Sequence, residues 1–214
     1  MISIIIPAYN EEKYISSTLE SIKSQNFKNY EIIVVCNGCN DNTFNVSKKY
    51  TENVVILKEA NVMKAKNKGA SLSKYNKLIF LDADTKFKNK NALSKIAKNN
   101  KEISTCFFLP DKISLKYILF FIIKNISSLF GAGNGILICN KNRFESVHGF
   151  NIIKYPLENR DLINKIRKNG RFGVVNTFVI TSMRRHNKWG LYSLYYWGKR
   201  LLIRKRNNSY EPIR

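Results

Sequence analysis

The run 3–7 is apolar and β-branched, the pattern of a strand buried on both faces of a parallel sheet. Asn10 is placed to cap a helix behind it. Glu11 and Glu12 suit a positive first turn, and Ile15, Leu19 and Ile22 recur at helical spacing down to about residue 25. Residues 30–35 predict a second buried strand, Asn37 and Gly38 a sharp turn, and Asp41 the cap of a short helix reaching Tyr50. A third strand at 54–57, a helix over about 62–74 and a strand at 78–81 follow, the last running straight into Asp82-Ala83-Asp84.

Strand alternating with helix in this way predicts a doubly wound α/β fold with a mostly parallel, Rossmann-like sheet, whose ligands bind outside the carboxyl ends of the strands. The loops at 7–12, 36–43 and 82–86 are therefore where chemistry is expected. Beyond them the pattern predicts a helix near 90–98, a strand at 104–109, an apolar stretch at 113–130, a strand at 135–139 and helices at 141–147 and 157–168. No repeat, linker or low-complexity block interrupts the chain.

Composition narrows the class. With 214 residues, 44% of them hydrophobic and 12% aromatic, the chain builds a one-domain core, which excludes a disordered polycation. The net charge of +22 is uneven: residues 1–60 carry 6 basic and 7 acidic side chains, and residues 61–214 carry 31 and 8. Such a field attracts phosphates on nucleotides, nucleic acid or anionic lipid without choosing among them, and part of it could reflect a Lys-, Asn- and Ile-rich composition rather than a partner.

Four cysteines, Cys36, Cys39, Cys106 and Cys139, do not make a disulfide framework in a chain this long, and a reducing, cytoplasmic compartment is the expectation. Cys36 and Cys39 have CxxC spacing but lack the second pair a zinc site needs. The N-terminus has no basic segment before its apolar run, and Pro7 stops that run, which argues against a signal peptide. No apolar run approaches the ~20 residues of a spanning helix.

Asp82 and Asp84 are one residue apart at the end of a buried strand, so their side chains leave on the same side if strand geometry persists. Two carboxylates there suit Mg²⁺ or Mn²⁺, hard cations that take oxygen ligands and keep positions open for phosphate. The alternative is that Asp84 only caps the next turn.

The segments SIIIPAYNEE (3–12), the strand ending at Asn37-Gly38 with Asp41, AKNKG (65–69), FLDAD (80–84), FESVHGF (144–150), ENRDL (158–162) and TSMRR (181–185) resemble, in order and spacing, the family 2 glycosyltransferases of GT-A fold. The resemblance covers residues 1 to about 190 and is to a short bacterial and archaeal subgroup. It implies a nucleotide-sugar-dependent, hexosyltransferase-like enzyme, usually inverting, with a UDP- or GDP-linked donor. Pro7, Ala8, Tyr9, Glu11 and Asn37 would hold base and ribose, Lys66 would lie beside the nucleotide, and Asp82 with Asp84 would match the metal and ribose pair.

Three departures from the family pattern stand out. Cys36-Asn37 replaces two consecutive Asp, so an amide stands where a carboxylate normally accepts from the base; its carbonyl can still accept. Asn159 replaces the Asp that serves as general base. Either Glu158 or Asp161 takes that role, or the acceptor is an already ionised lipid phosphate, or catalysis has been lost. Late in the chain His186 follows Arg184 and Arg185; it could be a further metal ligand or a surface position, and the arginines could contact the diphosphate or a lipid phosphate or form a solvated turn.

The chain divides on this reading into a domain at 1–188 and a basic, aromatic, amphipathic tail at 189–214. The segment WGLYSLYYWGKRLLIRKR (189–206) suits a helix on the inner face of an anionic membrane, next to a lipid-linked acceptor, and equally suits packing on the core or on a partner. The competing function is a non-catalytic basic protein that binds nucleotides or nucleic acid. It lacks aromatic-platform and helix-turn-helix signatures, and strand-end acids would repel a bare phosphate backbone.

Overall fold

The computed structural model describes residues 1–131, 135–152 and 158–184. In chain order the elements are β1 (Ile2–Ala8), α1 (Ile15–Lys23), β2 (Tyr30–Asn37), α2 (Thr43–Lys48), β3 (Val54–Leu57), α3 (Val62–Leu72), β4 (Lys77–Leu81) and β5 (Thr85–Phe87). They continue with α4 (Ala92–Lys98), β6 (Ile103–Pro110), α5 (Leu115–Leu129), β7 (Ile136–Asn140), α6 (Lys141–Ser146), α7 (Glu158–Arg167) and β8 (Phe172–Thr181). The strands form one eight-stranded sheet in the order β3-β2-β1-β4-β7-β6-β8-β5. The first four are parallel, β7 runs antiparallel to both β4 and β6, β6 and β8 are parallel, and β5 is antiparallel to β8.

β1 is buried along its whole length, as its unbroken apolar run requires. Its residues alternate between two cores. Ile4 and Ile6 join the apolar faces of α1, α4 and α5, while Ile5 joins those of α3, α6 and α7. Helices thus cover both faces, and the carboxyl ends of β1, β2 and β4 open side by side. Where α3 crosses β1 the approach is close: a Cβ at Gly69 would stand 2.3 Å from Ile5 Cγ2.

Several expectations are corrected. Asn10 caps nothing: its φ is +50°, α1 begins only at Ile15, and the Asn10 amide oxygen instead accepts from Asn40 N at 2.6 Å. Asp41 does accept from Thr43 N at the head of α2, but that helix ends at Lys48, short of Tyr50. β5 and β8 are absent from the expected elements: β5 is only three residues long, while β8 is a Val-, Thr-, Phe- and Ile-rich run whose alternation from Val175 to Val179 is a strand signal that those elements do not include. Among the described residues no helix is long and apolar enough to cross a membrane. The tail at 189–214, with Arg185 and His186, lies outside the described residues.

Candidate active site

The loops after β1 and β2 hold each other in place. Glu11 N donates to Thr43 Oγ1 at 2.7 Å, Glu12 N to Asp41 Oδ2 at 3.1 Å, and Asn42 N back to Glu12 Oε2 at 3.1 Å. Asn42 N, at the start of α2, is thus matched by Glu12, and the N–H groups of Glu11 and Glu12 are matched in return by Thr43 and Asp41. Gly38 turns the chain at φ +70°, packed against Ala60, where a side chain would clash as well as strain the backbone.

Cys39 Sγ lies 3.3 Å from both Asn10 N and Ala8 O, drawing the two loops together further. The thiols of Cys36 and Cys39 are neighbours. A hydrogen bond from Cys36, with help from Asn10 N–H, lowers the Cys39 thiol to about 7, and the same contact with burial pushes Cys36 up.

Within this frame Pro7 and Ala8 are buried at the end of β1 and Tyr9 is half-buried beside them. Asn37, the last residue of β2, is 1% exposed, and its amide oxygen Oδ1 has no hydrogen-bond partner among the described residues. A buried, unmatched carbonyl costs about 1–3 kcal/mol, so a polar group supplied by a ligand would relieve it.

The strand expected at 78–81 is β4, which ends at Leu81 as expected, and strand geometry does not persist through Asp82 and Asp84. The two residues sit instead on a turn into β5, so strand alternation does not pair their side chains. The turn is fixed from three sides: Asp82 N donates to Gly135 O at 2.8 Å, Thr18 Oγ1 to Ala83 O at 2.7 Å, and Ser182 N to Asp84 O at 3.3 Å.

The carboxylate of Asp84 meets Arg184, which follows β8, at 3.0 Å. The same guanidinium nitrogen stands 2.5 Å from Glu11 Oε1, and the group stacks over the Tyr14 ring at 4.3 Å from its centroid. Burial works against the guanidinium charge, but the carboxylates of Glu11 and Asp84 more than offset it and raise its pKa. One cation thus ties the loops after β1 and β4 to the segment after β8. Nothing in the sequence pairs Glu11 with Arg184, 173 residues apart.

A second cluster forms where α3 faces α7. Lys66 is 3% exposed, donates to Asn159 Oδ1 at 3.0 Å and lies 3.7 Å from Glu158 Oε1. Its ammonium also sits over the Phe150 ring, 4.9 Å from the centroid. Phe150 is held by Asn67, whose side chain bonds both its N–H and its carbonyl at 2.9 Å. Asn67 was not singled out from sequence, though it lies inside the same short segment as Lys66. The preceding turn bears His148 at φ +60° and Gly149 at φ +62°.

Glu158 Oε2 is buried without a described partner, and Asp161 pairs with Lys165 at 3.3 Å. The structure thus brings Lys66, Glu158 and Asn159 together, brings Glu11, Asp84 and Arg184 together, and sets Asn37 at the same open end of the sheet. Among the described residues no group of three His, Cys, Asp or Glu is clustered as an all-protein metal cage. The oxygen-only donors Asp82 and Asp84 suit a hard divalent ion that keeps other positions for ligand oxygens, and the guanidinium beside Asp84 marks the place as one that takes positive charge.

Structural likeness extends over most of the chain. A mannosyltransferase from Pyrobaculum calidifontis, solved with GDP-Man and Mn²⁺, superimposes with a TM-score of 0.72 at 15% identity over 96% of this chain and 65% of that one. Staphylococcus aureus TarS 1-349 with UDP-GlcNAc gives 0.69 at 19% identity, over 85% and 58%. In sequence, the Escherichia coli glucosyltransferase WfaP, named for a GlcNAc-diphosphoundecaprenol substrate, is 35% identical over 88 residues, 39% of this chain and 35% of that protein. A dolichyl-phosphate beta-glucosyltransferase from Trichomonas vaginalis is 32% identical over 124 residues, 47% and 37%.

The matched stretches span between 13% and 44% of the length of the curated relatives. The description "Glycosyl transferase family 2" matches residues 3–114, half of the chain, and takes in the loops that carry Glu11, Asn37, Lys66, Asp82 and Asp84. The chain belongs to glycosyl transferase family 2.

Proposed function

We propose that the chain transfers a sugar, with inversion, from a UDP- or GDP-linked donor to a lipid-linked phosphate. The observation that carries the donor assignment is the buried, unmatched carbonyl of Asn37 at the open end of β2. It accepts from a base N–H, while Pro7, Ala8, Tyr9 and the loop of Glu11 line the base and ribose. Related folds solved with UDP-GlcNAc and with GDP-Man support this donor class.

Asp82 and Asp84 would hold a Mn²⁺ or Mg²⁺ ion, which supplies charge neutralisation to the leaving diphosphate. His186 is a further candidate ligand. Arg184 is the residue that must exchange partners: its guanidinium leaves Asp84 for phosphate oxygens, to which Arg185 adds a second cation.

Lys66 holds Glu158 and Asn159 in position below the sugar. Asn159, an amide, takes no proton, so a hydroxyl acceptor would need Glu158 or Asp161 as base. A phosphate acceptor attacks through an oxygen that is already ionised. By its name the dolichyl-phosphate relative bears on a lipid phosphate acceptor, whereas WfaP, a beta-1,3-glucosyltransferase named for GlcNAc-diphosphoundecaprenol, bears on a hydroxyl of a lipid-linked sugar.

The test is a screen of nucleotide-sugars for hydrolysis and for transfer to polyprenyl phosphate, with Mn²⁺ or Mg²⁺. Asp84→Ala should abolish metal-dependent nucleoside diphosphate binding. Turnover of no nucleotide-sugar, or an Asp84→Ala variant with unchanged Mn²⁺ dependence, would overturn the reading.

A further inference from the structure

α5 is apolar on two sides: Tyr117 and Phe121 are buried in the core, and a second apolar face points to water. A helix on the surface of a globular domain normally turns its apolar stripe inwards and its polar residues to water. Here Leu115, Leu119, Ile122, Ile123, Ile126 and Leu129 are each half or more exposed, between 50% and 75%. At about 100° per residue these six fall within an arc of roughly 120° that contains no polar residue. Ile113 before the helix and Phe130 after it extend the patch, at 87% and 76% exposed.

Three polar residues of α5, Lys124, Asn125 and Ser128, lie on the inner side. The Asn125 side chain bonds Phe108 N at 2.8 Å and Phe108 O at 3.0 Å, filling a gap in the edge of β6. Ser128 is fully buried, and the Lys124 ammonium lies over the rings of Phe108 and Phe121. Swapping the faces would therefore strand buried polar groups, so the outward apolar arc is a fixed property of the fold.

We propose that the outer face of α5 docks on an anionic lipid surface, the helix lying in the plane between headgroups and acyl chains. With 15 residues the helix cannot span a bilayer, but lying flat it presents a strip about 22 Å long, at ~1.5 Å per residue. A continuous patch of this size is far beyond the scattered exposed apolar residues of ordinary surfaces.

Charge selects the occupant. Two copies meeting through this face would each bring a net +22, whereas anionic headgroups are attracted by it. Between 111 and 131 the only acid is Asp111, whose carboxylate is turned to Met183 N at 2.9 Å, against Lys112, Lys116 and Lys124. At the far end of the helix the exposed Arg167 donates to Phe130 O at 3.3 Å, so cations flank the apolar arc.

Both ends of α5 are tied to the candidate active site. Asp111 bonds the residue before Arg184, and Arg167 belongs to α7, the helix of Glu158 and Asn159. Docking would hold the open end of the sheet at the lipid surface, where a lipid-linked phosphate is found. The apolar face of α5 and its flanking cations would bind lipid whether or not the protein transfers a sugar.

The test uses the full chain in flotation with phosphatidylglycerol–phosphatidylcholine vesicles and with phosphatidylcholine alone, while donor hydrolysis is read in parallel. The wild type should partition onto the anionic vesicles and keep a bound fraction at about 0.5 M salt, where charge attraction is screened and apolar insertion is not. A Leu119→Ser, Ile123→Ser, Ile126→Ser triple variant should lose at least tenfold in partition, with unfolding midpoint and donor hydrolysis unchanged. The single variant Ile123→Asp should show a similar loss.

Triple-variant partition equal to wild type would overturn the proposal and leave the basic segments as the binding element. So would a wild type that ignores vesicles, whether the triple variant turns a dimer into a monomer in the ultracentrifuge, which assigns the face to a second copy, or changes nothing.

Discussion

Lys66 shows how one residue serves packing and chemistry together. Its ammonium is almost sealed from water, and three groups compensate: the Asn159 carbonyl oxygen, the Glu158 carboxylate and the face of Phe150. Removing one partner of a buried pair is costlier than the pair is worth, because the other charge stays behind. Lys66→Met should therefore destabilise the protein by on the order of 3 kcal/mol in chemical denaturation. Glu158→Gln should cost clearly less, since Lys66 keeps two of its three partners and half of Glu158 is unmatched already.

The same Glu158→Gln variant also reports on the acceptor. Turnover reduced by ~10²- to 10⁴-fold at unchanged donor binding would mark Glu158 as a base for a hydroxyl acceptor. Little change is expected for transfer to a phosphate. Robust transfer to a soluble sugar, lost in Glu158→Gln and restored by adding Asn159→Asp, would reverse the acceptor assignment.

At the scale of elements, the first half of the chain was legible and the second half only in part. β1 to β4 announce themselves because strands buried on both faces must be apolar throughout, and the loops at their carboxyl ends follow from the topology. Asn10, a common helix cap, does not start α1 because its side chain is spent on the neighbouring loop through Asn40. α5 is legible as an apolar stretch, yet its second, outward apolar face beside the buried Tyr117 and Phe121 is not, since periodicity locates an apolar face without saying which way it points. The Arg184 ion pairs, made between segments distant in sequence, left no local trace.

Packing of α3 on β1 offers a test at this scale. Gly69 carries no side chain because Ile5 fills the space: an added Cβ would lie 2.3 Å from Ile5 Cγ2, well inside contact distance. Gly69→Ala must push α3 outwards or force Ile5 off its rotamer, at a cost of about 1–3 kcal/mol that outweighs the helix-propensity gain. Because Lys66 lies one turn earlier on the same helix, donor affinity should fall with stability. Lys68→Ala, on the exposed side of α3, should change stability by no more than about 0.5 kcal/mol. Equal effects of the two substitutions would show that α3 is not set by this contact.

The whole molecule combines a net charge of +22 with an acidic rim at the open end of the sheet, where Glu11, Asp82 and Asp84 stand. The two features oppose each other for a nucleic acid backbone, which the general field attracts and the rim repels. For a nucleoside diphosphate arriving with a divalent ion they act together, because the ion meets the carboxylates while the phosphates meet the surrounding cations. Thermal unfolding separates these cases. UDP or GDP with Mn²⁺ at ~100 times its Kd should stabilise the protein by about 2.7 kcal/mol, a shift of several degrees in Tm. A single-stranded oligonucleotide should give a smaller shift that disappears as salt is raised to about 0.2 M, as expected of binding through general charge alone. A large, salt-resistant shift with oligonucleotide, and none with either nucleotide and Mn²⁺, would mean that the positive surface is the functional one and the acidic rim is structural.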